Sequence, residues 1–155
     1  MRVENAQAGL LLDDSIITKL HIKNNLAVVV GPSFDKQILD VDFAVGKVFV
    51  RDNKDYVGEL ELAVRLRVKH ERKTAFDLNL TMLGLYSAPN QAYKSKEDFS
   101  EALEINGLAS LVSIARANIA AITSNVFCLG SIKMPMINVF MLRELKKQSN
   151  MESQT

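Results

Sequence analysis

The sequence predicts an α+β fold: a four-stranded antiparallel sheet with a long and a short C-terminal helix on one face. Three observations predict this class. Apolar and polar residues alternate through much of the first 88 residues, which is typical of half-buried strands. Short polar segments separate the alternating stretches, as in antiparallel hairpins. After Pro89 the apolar residues recur every three or four positions, which is typical of amphipathic helices.

The first predicted strand is SIITKLHIKNN, residues 15–25, and a crossover follows it. The face predicted to be buried carries Ile16, Thr18, Leu20 and Ile22. The pair Asn24-Asn25 predicts the end of the strand. The next segment, 26–39, is apolar, but Gly31-Pro32 interrupts it. We therefore interpret this segment as an ordered crossover rather than a tight hairpin.

Three further strands are predicted in residues 40–88. The stretch DVDFAVGKVFV alternates, but its phase changes near Gly46, and a glycine at such a change indicates a β-bulge. The third and fourth strands meet at the charged turn HERK. Their buried face is predicted to consist of Leu60, Leu62, Val64, Leu66 and Val68, followed by Phe76, Leu78, Leu80 and Met82. Charged residues alternate with these in the third strand, which predicts one covered and one solvated face of the sheet.

A long helix and a short helix are predicted after the sheet. Ser95 precedes Asp98 by three residues, which resembles a capping box. The buried stripe of the long helix is predicted to run through Leu108, Leu111, Val112, Ala115, Ile119, Ile122 and Val126, with Gly130 ending the helix. The short helix is predicted in 136–148, with Met136, Val139, Phe140 and Leu145 on its apolar side. The domain is placed at 10–147, and 1–9 and 148–155 are predicted to be flexible tails.

Composition argues against several classes of function. The formal net charge is +1 and tryptophan is absent, so nothing favours binding to nucleic acid. No apolar stretch reaches the ~18 residues of a membrane span, so membrane insertion is not expected. The start of the chain lacks the pattern of a signal peptide. The lone Cys128 precludes an internal disulfide, which favours a reducing, cytoplasmic location.

No motif in the sequence carries catalytic or metal chemistry. His21 and His70 lack cysteine or acidic partners at the spacing of metal ligands, and Cys128 is predicted to be an inert thiol at a helix end. The loop GPSFDK lacks the glycines and the Lys-Ser/Thr ending of a phosphate-binding loop. We therefore predict neither enzymatic activity nor catalytic residues nor a metal site.

Two surfaces are the candidate sites. The sequence has more apolar residues than the core between one helix and one sheet needs. The surplus lies in the crossover, between the helices and in the last helix. These residues either complete the core or form a groove for apolar segments of other proteins. The predicted groove comprises Val28, Val30, Phe34, Leu129, Ile132, Met134, Val139 and Phe140. Small polar residues on the outer face of the long helix suit either solvent or a second subunit. The predicted subunit interface comprises Ser110, Ser113, Arg116, Asn118 and Thr123.

Several strings, in this order, resemble the SecB family of export chaperones. The string VGELELAVRLRVKHERKTAFDLNLTMLGLYS, residues 57–87, resembles the third and fourth strands of that family. The string GLASLVSIARANIAAITSNVFCLGSIKMPMINVFML, residues 107–142, resembles its long helix and the exit to the terminal helix. The resemblance covers roughly residues 10–147.

The resemblance implies an ATP-independent chaperone, without a cofactor, that holds unfolded polypeptides in apolar grooves. It also implies a homotetramer, a dimer of dimers with the long helices at its centre. In that family, carboxylates on the sheet face dock the SecA ATPase. Here Lys19, Lys23 and Asn79 stand where acidic residues are common.

Two chaperone functions therefore stay open. One is general binding of unfolded clients, as in protein export. The other is a dedicated SecB-like chaperone for one client, such as the antitoxin of a toxin–antitoxin system, that does not dock to SecA. A carrier of small ligands, or an enzyme, that uses the cavity between sheet and helix is a third possibility; it would require a closed pocket with converging polar groups.

Overall fold

The structure, a computed structural model, describes residues 9–25, 36–52, 54–70, 72–126 and 131–152. These residues form four strands and three α-helices. The strands are β1 (Leu11–Asn24), β2 (Lys36–Val50), β3 (Tyr56–His70) and β4 (Lys73–Ala88). The helices are α1 (Lys96–Ala102), α2 (Leu108–Val126) and α3 (Val139–Glu152). A 3-10 turn, Asn90–Ala92, precedes α1, and a π-helical segment, Leu103–Gly107, joins α1 to α2.

The four strands form one antiparallel sheet in the order β1-β4-β3-β2, which confirms the predicted α+β class. β3 and β4 occupy the centre, whereas β1 and β2 lie at opposite edges although they are consecutive in the sequence. The helices cover one face of the sheet. The nine residues predicted for the buried face of β3 and β4 all lie there, and each exposes at most 3% of its surface. The predicted burial of these two strands is confirmed.

The bulge predicted in β2 is confirmed. The register of β2 against β3 shifts between Val45 and Val48, on either side of Gly46. A side chain on Gly46 would lie 3.0 Å from Cβ of Glu59 on the neighbouring strand, so the glycine also permits close approach of the two strands.

The face predicted for β1 is confirmed for Leu20 and Ile22, which pair with buried residues of β4, and is wrong for Ile16. The register of β1 against β4 shifts between Ile17 and Lys19, and a bulge reverses the alternation of side chains beyond it. Ile17 and Leu20 therefore share the helix side of the sheet, while Ile16 pairs with Leu83 on the other side. Both faces of this edge strand are largely exposed.

The long helix starts as predicted. The side chain of Ser95 accepts a hydrogen bond from the backbone N–H of Asp98 at 3.1 Å, which confirms Ser95 as the N-cap. The π-helical segment is held by Tyr86, whose buried hydroxyl donates to the carbonyl of Gly107 at 2.8 Å. Burial raises the pKa of Tyr86, so this hydroxyl stays a donor at neutral pH.

The continuous helix Lys96–Val126 packs its apolar stripe on the sheet. The fully or mostly buried members of the predicted stripe are Leu108, Leu111, Val112, Ala115 and Ile119. By length and composition alone, this helix would suffice to cross a membrane, contrary to the prediction from the sequence. A third of its most apolar stretch is buried inside the domain. Gly130, the predicted end of the helix, lies outside the described residues.

The last helix is displaced from its predicted bounds. α3 runs from Val139 to Glu152, so residues 148–152, predicted to belong to a flexible tail, are helical. The oxygen Oδ1 of Asn138 accepts from the backbone N–H groups of Phe140 and Met141 at 3.1 and 3.2 Å, which makes Asn138 the N-cap. A helix that begins with a satisfied cap and contains no proline has no local reason to stop at residue 148.

Candidate functional site

Three large apolar residues in the first half of the last helix are exposed. Phe140 and Met141 each expose 63% of their surface and Leu145 exposes 58%. Met136, just before the helix, exposes 81%. We call these four residues the α3 apolar surface. Large apolar side chains exposed within ten residues of the chain are candidates for a binding surface.

A groove lies beside the α3 apolar surface, between α3 and the edge strand β2. It has a volume of about 270 Å³. Its lining consists of Val41, Asp42 and Phe43 from β2 and of Leu142, Leu145, Lys146 and Ser149 from α3. We call this the β2–α3 groove. Its lining is partly apolar and partly polar, and Leu145 belongs both to the groove and to the α3 apolar surface.

Ionic contacts hold α3 in place. Arg143 contacts Glu104 through Nε at 2.6 Å and Glu101 through a terminal nitrogen at 2.9 Å. Hydrogen bonds to these two carboxylates raise the pKa of Arg143. Lys146 contacts Asp42 of β2 at 2.5 Å. No residue of α3 is fully buried, so these contacts act together with the packing of Val139 and Leu142 against the core.

The residues predicted for the groove fall into three groups. Ile132 and Met134 are buried in the core, so they are closed to a client in this arrangement. Val139 is half-buried against the core, whereas Phe140 is exposed on the α3 apolar surface. Val28, Val30, Phe34 and Leu129 lie outside the described residues. Of the predicted groove residues that the structure describes, only Phe140 is on the exposed α3 apolar surface.

The residues predicted for a subunit interface are also divided. Ser113 is exposed, and its hydroxyl donates to the carbonyl of Ala109. Ser110 is half-buried and bonds within the subunit to the Tyr86 hydroxyl at 2.8 Å. Thr123 is fully buried, so its side chain is closed to a second subunit in this arrangement.

Arg116 and Asn118, the other two predicted interface residues, are half-buried and contact methionine sulfurs. A terminal nitrogen of Arg116 lies 2.7 Å from Sδ of Met136, and the amide nitrogen of Asn118 lies 3.7 Å from Sδ of Met82. Arg116 therefore connects the long helix to the start of the α3 apolar surface. No carboxylate within the described part of the chain forms an ion pair with it.

Sequence reasoning placed Leu20 on the helix side of β1 but missed Leu12 and Ile17 there. Leu12, Ile17 and Leu20 project there beside the edge of the long helix and are 38%, 41% and 45% exposed. The neighbouring outer face of α2 is built from small residues. Its exposed members are Ala109, Ser113, Ala117, Ala121 and Ser124. Their spacing of three and four residues was visible in the sequence, but the apolar part of this surface depends on the bulge in β1.

Among the described residues, no group of three or more histidine, cysteine or acidic side chains is placed to hold a metal ion. The polar contacts of the sheet are ion pairs between neighbouring strands. Arg65 contacts Asp77 through two hydrogen bonds of 3.2 and 2.7 Å, and this arginine lowers the pKa of Asp77. Such pairs perturb titration without supplying a reactive group.

Comparison with known proteins connects this geometry to one solved structure. No protein-family model matches the sequence, and no curated protein matches it significantly. The fold is similar to that of Mycobacterium tuberculosis Rv1957, a SecB-like chaperone, in complex with a ChAD peptide from the Rv1956 HigA1 antitoxin. The TM-score is 0.61 over 83% of this chain and 90% of that chain, at 10% sequence identity.

A protein of unknown function from Streptococcus agalactiae is also similar, with a TM-score of 0.44 and 9% identity over 82% of this chain and 97% of that chain. That similarity is too distant to support an inference. The similarity to Rv1957 confirms the predicted SecB-like fold: a four-stranded antiparallel sheet followed by a long and a shorter helix.

Proposed function

We propose that this chain is a chaperone that binds an apolar, extended segment of one dedicated protein client. The observation that carries the proposal is the α3 apolar surface beside the β2–α3 groove, on a SecB-like fold. The bound antitoxin peptide in the Rv1957 complex supports a polypeptide as the client class. It favours a dedicated client over general binding of unfolded chains.

Apolar burial supplies the affinity in this proposal. Covering exposed side chains such as Phe140 and Met141 stabilises the complex by about 25 cal/mol for each Å² of apolar area removed from water. An extended client loses conformational entropy on binding, so several contacts along the groove are needed. Unbranched methionine side chains adapt to different client side chains at little cost. No nucleotide or other cofactor is required for binding of this kind.

A second subunit completes the proposed assembly. The helix side of β1 exposes Leu12, Ile17 and Leu20, and most exposed residues of α2 are small, which permits close approach of another helix. Both features support self-association through this side, and we propose a homotetramer built as a dimer of dimers. The single cysteine supports a reducing, cytoplasmic location.

Replacement of exposed residues on α3 tests the client site. Phe140→Asp combined with Met141→Asp places charge on the α3 apolar surface and should abolish binding of a reduced, carboxymethylated protein used as a permanently unfolded probe. Val139 is less suitable for this test, because it packs on the core. Met151→Asp is the matched control: Met151 lies on the same helix and is 70% exposed, but is about 16 Å from Phe140 along the axis.

Binding should be measured by fluorescence anisotropy, with circular dichroism to verify folding. Undiminished binding by the double variant would exclude α3 as the client site. A competition between the unfolded probe and the product of an adjacent gene separates the two chaperone functions. A strong preference for the gene product supports a dedicated client, whereas equal competition supports general binding. Size exclusion with light scattering reports the subunit number, and a monomer would contradict the proposed assembly.

A further inference from the structure

The side of the sheet opposite the helices, here called the open face, has a strongly uneven charge distribution. Strand register places its residues in rows that cross the sheet. One row runs from His21 through Asn79 and Arg65 to Asp40, and the next runs from Lys23 through Asp77 to Arg67. At this end the open face carries Lys19, Lys23, Lys36, Arg65, Arg67 and Lys69, which we call the basic end.

The carboxylates near the basic end are already engaged. Asp77 is paired with Arg65, and Asp40 with a terminal nitrogen of Arg67 at 2.6 Å. Asp42 is paired with Lys146 of α3. The four lysines of the basic end form no ion pair within the described part of the chain. A chain whose formal net charge is only +1 therefore concentrates several uncompensated positive charges on one part of one face.

The other end of the open face is apolar and acidic. Ile16, Leu83 and Leu85 line a depression of about 190 Å³ together with Asp14, Ser15 and Glu59. Ile16 is 50% exposed, and the two leucines are half-buried. Glu61 follows Leu83 in the same cross-strand row. An apolar patch flanked by charge has the anatomy of a protein interface, in which an apolar centre is surrounded by a polar rim.

We propose that the open face docks a second protein partner through a segment in which acidic residues are followed by apolar residues. The acidic part would cover the basic end, and the apolar part would cover Ile16, Leu83 and Leu85. Because the arginines of the basic end alternate with paired carboxylates, the surface is poorly suited to a continuous phosphate backbone. The two rows described above also carry no Phe, Tyr or Trp ring on which bases could stack, and the imidazole of His21 is their single aromatic ring.

This docking surface differs from the β2–α3 groove, since the groove lies between β2 and α3 and none of its lining residues belongs to the basic end or to the apolar depression. The proposal therefore does not rest on the chaperone function. It also leaves the helix side of β1 free for a second subunit. Opposite charges across the interface would chiefly provide orientation and rapid association, and this contribution should weaken as salt is added.

Fluorescence anisotropy with synthetic peptides tests the proposal on the intact chain. The probe is a fluorescein-labelled peptide of five glutamates followed by Val-Leu-Val-Leu. Its counterpart has glutamine in place of glutamate, and a single-stranded DNA oligonucleotide represents a polyanion without apolar side chains. The variant is Lys19→Gln combined with Lys23→Gln. The matched control is Lys94→Gln combined with Lys96→Gln, since both of these lysines are exposed near the start of α1.

The glutamate peptide should bind the wild type, bind the Lys19/Lys23 variant about tenfold more weakly, and bind the Lys94/Lys96 control with unchanged affinity. The glutamine peptide should bind at least about tenfold more weakly than the glutamate peptide at low salt. Phe140→Asp with Met141→Asp should leave glutamate-peptide binding intact, which separates this surface from the client site.

Three outcomes would overturn the proposal. The first is no binding of the glutamate peptide by the wild type. The second is an equal loss of affinity in the Lys19/Lys23 variant and in its control, which would indicate a general charge effect. The third is equal or tighter binding of the oligonucleotide, which would identify the basic end as a site for nucleic acid.

Discussion

Thr123 connects the end of the long helix to the segment that leads into α3. Its buried hydroxyl donates to the carbonyl of Ile119 at 2.7 Å and accepts from the backbone N–H of Ile132 at 2.9 Å. Ile132 is itself buried. Thr123→Val preserves the shape of the side chain but removes the oxygen. The N–H of Ile132 then stays buried without an acceptor. The carbonyl of Ile119 is less affected, because it lies within a helix, where it also accepts a backbone hydrogen bond.

The expected cost follows from the unsatisfied donor. A buried polar group that loses its partner destabilises the folded state by about 1–3 kcal/mol. For a domain of this size, each kcal/mol lowers the melting temperature by about 2–4 °C, so Thr123→Val should lower it by about 4–8 °C for a cost near 2 kcal/mol. Thr123→Ser keeps the hydroxyl and loses one methyl group, which should cost about 1 kcal/mol.

Thermal unfolding measures the loss, and amide exchange locates it. All variants must be compared at one protein concentration, because self-association would shift the apparent stability. The amide of Ile132 should exchange faster in Thr123→Val but stay protected in Thr123→Ser. If Thr123→Val were as stable as the wild type with unchanged protection of Ile132, the hydroxyl would not hold this segment and the inference would be refuted.

Three further predictions concern packing, pH and the attachment of α3. Gly58→Ala should lower the free energy of unfolding, measured by urea denaturation, by about 1–3 kcal/mol, because the new Cβ would lie 2.6 Å from Leu103 and 2.8 Å from Phe99. A variant as stable as the wild type would contradict this prediction. The pKa of Asp77 is lowered in the folded state, so its stabilising contribution is present above the unfolded pKa and is lost as pH falls through the folded pKa. The difference in melting temperature between wild type and Asp77→Asn should therefore be full near pH 6 and shrink below about pH 4; a constant difference would contradict it. Arg143→Met should accelerate amide exchange in α3 while β3 and β4 stay protected, because it removes two ionic contacts from a helix without a fully buried residue. Unchanged exchange would show that apolar packing alone holds α3 on the domain.

The central strands could be predicted from the sequence because their environment is uniform. From Leu60 to Val68 and from Phe76 to Met82 every second residue is buried, and most of the residues between them are polar. The edge strand β1 has no such constraint. Ile16 and Ile17 are both apolar and exposed, so the sequence does not reveal which one faces the helices. The bulge that decides this depends on pairing with residues more than 60 positions away.

Only part of the candidate site could be predicted from the sequence, because the side on which a residue packs depends on contacts that are distant in the sequence. The apolar surplus of the last helix was evident, but a short helix with apolar residues on several sides does not reveal which side packs. Leu142 and Val139 face the core, so Phe140 and Met141 stay exposed. Thr123 was assigned by residue type to an interface. Its position four residues after Ile119, itself four after Ala115, places it on the buried stripe, and this signal could have located it correctly.

The order of the strands determines when each one can pair during synthesis. β2, β3 and β4 follow one another through short turns and form local hairpins. β1 is made first, yet Leu11 pairs with Ser87, at the far end of β4. The first strand therefore stays without its partner until the whole sheet region has been translated. Loop closure over such a distance slows folding, and we expect β1 to be the last strand to dock.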